Sequence, residues 1–150
     1  AAAVSSGSTR AESGIDLGGG SDTVTPPFFL MQVSLTKSFS FDSAHWLPCF
    51  PEGHKCRRLH GHSFEVEIEV TGEVPEDKGY LVDYGDLKVA TQHVHDLVDH
   101  RCLNEIPGLE NPTSEVIARW IWRKLEDQIP LLTAVTVRET CNSSCTYRGT

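Results

Sequence analysis

The chain has no apolar run near the roughly 18–20 residues that a membrane-spanning helix needs, so a helical membrane protein is excluded. It is also short of positive charge. Thirteen Lys and Arg stand against 21 Asp and Glu, a formal net charge of −8, whereas affinity for a phosphate backbone comes from clustered cations. The densest basic cluster, HKCRR at 54–58, is too short for a nucleic-acid footprint but suffices to hold a small anion. Neither a nucleic acid nor a membrane is therefore expected as a partner. The cysteines form no framework either: there are five, an odd number, irregularly spaced. A secreted protein would be left with an unpaired thiol, so a reducing, cytoplasmic setting is the simpler reading. Cys141 and Cys145, spaced C-x3-C, have no second pair to complete a structural zinc site and read as small buried residues in a turn. Nothing in the spacing assigns a role to Cys49 or Cys102. Internal repeats are absent.

The 150 residues, 39% hydrophobic and 23% charged, have the balance of one globular domain large enough to bury a core. Residues 1–30 stand apart. They are rich in Ala, Ser, Gly and Thr, show no periodicity until their last residues, and lack the basic start and apolar centre of a secretory signal. The reading is a disordered or vector-derived leader, with the domain at 31–150 and Met31 as its natural start.

From Gln32 the pattern sharpens. Val33, Leu35, Phe39 and Phe41 alternate with Ser34, Thr36, Ser38 and Ser40, the period of two of a half-buried strand whose parity continues to Ser43 and His45. In HGHSFEVEIEVTG, His60, His62, Phe64, Val66, Ile68 and Val70 share one face, and Ser63, Glu65, Glu67 and Glu69 the other. If the two strands pair antiparallel, His45 reaches the same edge of the same face as His60 and His62. The connection at 46–59 is longer than a hairpin needs and holds Cys56, and loops of that length usually carry function. A helix is expected over Gly85–Val98, with Leu87, Ala90, Val94 and Leu97 as its buried stripe. A second is expected over Pro112–Gln128, capped by Asn111 with Pro112 at its first position; Val116, Ile117, Trp120, Ile121 and Leu125 form the stripe and Pro130 stops it. TAVTVRET is a last strand on which Val135, Val137 and Glu139 share a face. The order β-β-α-α-β is that of an α+β sandwich.

The chemistry gathers at the histidines. Imidazole suits Zn²⁺, three protein ligands leave a position open for water or substrate, and an H-x-H pair on a strand sets two rings on one side about 6.5–7 Å apart at the backbone. Cys56 lies among Lys55, Arg57 and Arg58, charges that favour a thiolate able to act as base or nucleophile. It could equally serve as a fourth metal ligand in a closed structural site. Asp99 beside His100 can orient an imidazole and stabilise its charged form. His93 and His95 read as solvated. Glu139 ends a buried strand face, where an unpaired carboxylate is costly, so it needs a protein cation or a ligand's N–H groups as partner unless the edge is exposed.

FDSAHWLP, EGHKCRRLHGHSF, LVDY, LVDH, LENPTSE and VRETCNSSCTYRG together resemble the 6-pyruvoyltetrahydropterin synthase family over about Val33–Gly149. The spacing C-x3-H-G-H resembles its 6-carboxy-5,6,7,8-tetrahydropterin synthase branch; in the 6-pyruvoyl branch the cysteine lies farther ahead of the H-x-H pair. The resemblance implies a tunnelling fold (T-fold): a four-stranded antiparallel sheet with two helices on one face. The fourth strand would fall at GYLVDY or in the C-terminal segment. It further implies sheets joined into a barrel, a homohexamer built as a dimer of trimers, and active sites at subunit interfaces. His45, His60 and His62 would hold a catalytic Zn²⁺, Cys56 would be the proton-abstracting thiolate, and Asp99 and His100 the linked acid–base pair. Glu139 would anchor the pterin ring, with Thr113, Ser114 and Glu115 making further contacts. The implied reaction is that of a zinc-dependent lyase converting 7,8-dihydroneopterin triphosphate to 6-carboxy-5,6,7,8-tetrahydropterin, triphosphate and acetaldehyde in queuosine biosynthesis. The alternatives are 6-pyruvoyltetrahydropterin synthase activity and, in another class, a non-catalytic structural zinc module. Arg101 departs from the pattern, since relatives often carry another histidine there.

Overall fold

Alternation and amphipathic periodicity build four strands and two main helices in the computed structural model, which describes residues 31–150; the expected leader at 1–30 lies outside the described residues. The elements are β1 (Gln32–His45), β2 (His60–Glu73), α1 (Tyr84–Val98), α2 (Ser114–Leu125), β3 (Leu132–Thr140) and β4 (Ser143–Tyr147), with single 3-10 turns at Lys55–Arg57 and Leu103–Glu105. The strands lie in the order β1-β2-β3-β4, each antiparallel to its neighbour. The fourth strand is thus the C-terminal one. GYLVDY instead turns into α1, where the Asp83 carboxylate accepts from the Gly85 N–H at 2.6 Å as an N-cap.

The pleat separates the two faces. Phe41, Phe64, Val66, Ile68, Val135 and Val137 turn inward under both helices and are buried. Phe41 stacks on Phe64 with ring centroids 4.9 Å apart. The other face is a polar lattice. Ser34 meets Thr71 at 2.7 Å, Thr71 meets Thr133 at 3.1 Å, and Arg138 lies 3.8 and 3.7 Å from Glu65 and Glu67.

Three local expectations are corrected. In α1, Leu97 remains 36% exposed while Thr91 and Val98 are buried. Positions 87, 91, 94 and 98 follow the i, i+4, i+7, i+11 row, which leaves Leu97 on its flank. In α2 the cap is Thr113, whose hydroxyl accepts from the Val116 N–H at 3.4 Å, rather than Asn111. Pro112 therefore stands before the helix, and the chain leaves the helix at Leu125 through a tight turn. Cys141 is exposed in the β3–β4 turn and Cys145 is half-buried on β4, so they are not a buried turn pair; all five cysteines are free.

One tertiary connection positions the site. After α1 the chain runs back along the end of β1: the His100 N–H donates to the Asp42 carbonyl at 2.7 Å, the Ala44 N–H donates to the Arg101 carbonyl at 3.0 Å, and Ala44 bridges Cys102 in parallel. This covers part of an edge that would otherwise present unpaired backbone groups.

Phe64 lies fully buried between Phe41 and the histidine end of the sheet. Phe64→Ala is expected to lower the unfolding free energy by about 3–5 kcal/mol, measured by chemical denaturation. A loss under about 1 kcal/mol would show that this face is not the core.

Candidate active site

Strand pairing assembles the histidines. His45 stands directly opposite His60 in the β1–β2 register, and Ser43 opposite His62. All three rings project to the helix side, and one ligand nitrogen from each lies within 4.8 Å of the other two. A Cβ at Gly61, between the two histidines of β2, would lie 3.2 Å from the Ser43 carbonyl oxygen, a tight approach of the two strands.

The ring tautomers are set from behind. The His45 Nδ1 faces the Pro112 carbonyl at 3.0 Å, and the His60 Nδ1 faces the Arg58 carbonyl at 2.7 Å. A carbonyl only accepts, so each Nδ1 carries the proton and leaves Nε2 with a free lone pair. His45 is 0% exposed, and its Nε2 has no hydrogen-bond partner. Glu139 Oε1 lies 3.1 Å away but out of hydrogen-bonding alignment. A buried lone pair without a donor, beside two further imidazoles, fits a divalent cation of the zinc type, and backbone carbonyls behind the rings are the usual support for such ligands. Burial holds the His62 pKa below its ordinary value, Glu139 opposing and the two neighbouring histidines adding to the effect. The direction favours the neutral ring that a metal ligand must present.

Glu139 reaches this cluster from β3, 3.5 Å from the His62 Nε2. Its second oxygen accepts from Ser114 Oγ at 3.4 Å, so the start of α2 borders the same space. Thr113 is occupied as the helix cap, and Glu115 is exposed. Burial, and secondarily the nearby Glu115 carboxylate, raise the Cys145 pKa.

Cys56 shares a recess of about 490 Å³ with Lys55, Arg58, His60, His62 and Glu139. Among the described residues it is not part of the three-histidine cluster. The 3-10 turn that carries it is anchored by the Cys56 carbonyl accepting from the Leu47 N–H at 2.8 Å. Arg57, placed with Lys55 and Arg58 by sequence, is turned away: its Nη1 donates to the carbonyls of Pro48 and Phe50 at 3.1 and 2.7 Å. It braces the loop, while Lys55 and Arg58 face the recess.

Asp99 and His100 do meet, Oδ2 to Nδ1 at 2.8 Å, but not beside Cys56. His100 borders a different recess, at the end of β1 and β2, with Asp42, Ser43, Gly61, Ser63 and Arg101; His62 lines this recess as well as that of Cys56. Asp99 Oδ1 also accepts from the Asp42 N–H at 3.1 Å. His95, expected to be solvated, is partly buried, with its ring edge on Phe39 and its Nε2 4.0 Å from Asp99. Sequence patterning missed the Pro112 carbonyl and the Asp42 contacts, because backbone acceptors carry no residue signature. The H-G-H glycine was the one visible signal of the close approach.

The family model for 6-pyruvoyl tetrahydropterin synthase matches residues 34–150. The 6-carboxy-5,6,7,8-tetrahydropterin synthase of Synechocystis sp. is 46% identical over 120 residues, 74% of this chain and 89% of that one. The dihydroneopterin monophosphate aldolase of Pyrococcus furiosus is 37% identical over 100 residues, 67% of this chain and 81% of that one. The solved 6-pyruvoyl tetrahydropterin synthase of Caenorhabditis elegans superposes with a TM-score of 0.75 at 28% identity, covering 81% of this chain and 98% of that one. The sheet, its two helices and these relatives define a T-fold tetrahydropterin synthase. This chain belongs to the 6-pyruvoyl tetrahydropterin synthase family.

The acid–base pair yields a pH test. Hydrogen bonds from the Asp42 N–H first, and from His100, depress Asp99 below 3.8; the Asp99 hydrogen bond raises His100 above 6.5. Asp99 therefore adds stability above pH 3.8, lost as the pH falls through its folded value. His100 adds stability below pH 6.5, lost as the pH rises through its own. Asp99→Asn should destabilise most between pH 3.8 and 6.5, with the gap narrowing in alkali, as thermal melts at several pH values would record. A gap that does not vary with pH would contradict the pairing.

Proposed function

We propose that the chain is a zinc-dependent carbon–oxygen/carbon–carbon lyase that converts 7,8-dihydroneopterin triphosphate and water to 6-carboxy-5,6,7,8-tetrahydropterin, triphosphate and acetaldehyde, in queuosine biosynthesis. The observation that carries this reading is a three-imidazole set at a recess shared with a cysteine that stays outside the set. The C-x3-H-G-H spacing and the 46% identical 6-carboxy relative support the 6-carboxy branch. Five free thiols accord with a reducing cytoplasm. No helix among the described residues is long and apolar enough to cross a membrane.

His45, His60 and His62 hold the ion, and when bound it supplies Lewis-acid polarisation of the substrate's side-chain oxygens. Glu139 accepts from the amino and ring N–H groups of the pterin, and Ser114 steadies its second oxygen. Thr113 fixes the turn that brings Ser114 there, and Glu115 contributes at the rim. Cys56 takes the proton from the substrate side chain. Lys55 and Arg58 receive the triphosphate; Arg57, committed to the loop, does not.

The proton donor comes from elsewhere. His100 and Cys56 border different recesses, and in this reading the Asp99–His100 pair of one subunit serves the site of another. A homohexamer arranged as a dimer of trimers, with sheets joined into a barrel, meets that requirement and closes the free edges of β1 and β4.

Incubation with 7,8-dihydroneopterin triphosphate should give the 6-carboxy product and one acetaldehyde per turnover. A pyruvoyl product without acetaldehyde would assign the sister activity. Cys56→Ala should keep its zinc while kcat falls about 10²–10⁴-fold; loss of zinc would favour a closed structural site. Mixed refolding of Cys56→Ala with His100→Asn subunits should restore part of the turnover, because some sites then receive both intact groups. Asparagine tolerates the backbone conformation at this position. No restoration would place the pair outside the shared site. Lys55→Ala and Arg58→Ala should each raise KM about tenfold with little change in kcat, the effect of one charge-assisted contact of roughly 1.5 kcal/mol; an unchanged KM would remove them from the phosphate end.

A further inference from the structure

His100 is the only non-glycine with a positive φ, 54°, among the described residues. That conformation is disfavoured for residues with a Cβ and persists only where the surroundings impose it. Here the surroundings are chiefly Asp42. Its carbonyl accepts from the His100 N–H at 2.7 Å, and its N–H donates to Asp99 Oδ1 at 3.1 Å, while the other Asp99 oxygen takes the His100 Nδ1. The backbone of one residue on β1 therefore grips both members of the acid–base pair.

The Asp42 side chain has no part in that grip, nor in any step described above. Ser63, opposite it on β2, donates its hydroxyl to Asp42 Oδ1 at 2.5 Å. The carboxylate borders the same recess of about 570 Å³ as the His100 ring. The Asp99 hydrogen bond and charge raise the His100 pKa above its ordinary value; the ring is 79% exposed, and Asp42 adds the smallest contribution in the same direction. Around the pair stand Asp99 beside the ring, Asp42 from β1, the neutral Ser63 hydroxyl and His62 from β2, Arg101 next in the chain, and His95 of α1 on the far side of Asp99.

We propose that Asp42 is a positioning residue for the Asp99–His100 pair: its backbone grips both members, and its carboxylate, braced by Ser63, sets a second negative charge at the recess that the His100 ring borders and where a neighbouring subunit's substrate must meet it. The catalytic half of this statement rests on the function proposed above; the electrostatic half does not.

The test uses the assembled protein with ring-labelled histidines and the variants Asp42→Asn, Asp42→Glu and Ser63→Ala. Asparagine keeps an oxygen for Ser63 and removes only the charge. The substrate-free NMR titration of His100 should move to lower pH in Asp42→Asn, move part of the way in Ser63→Ala, and recover in Asp42→Glu. Zinc content and assembly should not change. In the same Asp42→Asn protein kcat should fall about tenfold with KM unchanged. An unmoved His100 titration overturns the proposal, as does a moved titration with parental kcat. Because the titration needs no turnover, failure of the assigned reaction and failure of the Asp42 role are separately readable.

Discussion

The register between β1 and β2 is the constraint on which the site depends. It places His45 against His60 and carries Phe41 onto Phe64 four pairs further in, so a single alignment sets both the histidine cluster and the aromatic floor beneath it. A slip of one residue would send all these side chains to the polar face. The apolar positions of β2, buried under the helices, oppose such a slip along the whole strand. Core packing and ligand geometry are thus one specification.

Two recesses divide the candidate residues. The imidazoles, Glu139 and Cys56 gather at one; Asp42 and Ser63, on the second face of the sheet, border the other with His100, and His62 lines both. The polar lattice of Ser34, Thr71, Thr133 and Thr136 continues across the second face, so that surface has no apolar core of its own to bury. In the proposed assembly it would face a hydrated interior, as its composition requires.

Much of this was legible in the sequence, and the limits have physical causes. The alternation of β1 and β2 located the histidine edge, because period-two patterning reports the face of each side chain directly. The amphipathic stripes located both helices, though Leu97 and Val98 differ by only one position and the stripe's centre cannot be read to that accuracy. The cap of α2 moved from Asn111 to Thr113 because the Pro112 carbonyl is engaged by His45, a tertiary contact invisible to local rules. Parity placed His45, His60, His62 and Glu139 together correctly, since all four sit on paired strands. Asp99 and His100 lie after a helix, where no parity extends, and their relation to Cys56 required the three-dimensional path of the chain.

The Pro112 carbonyl has one further consequence. His45 is a rigid strut with the metal pocket at one ring nitrogen and the entry to α2 at the other, immediately before Thr113 and the Ser114 that touches Glu139. A substitution at residue 112 or 113 that shifts the entry to α2 would therefore also shift the ring at the centre of the histidine cluster, so helix start and cluster move as one unit.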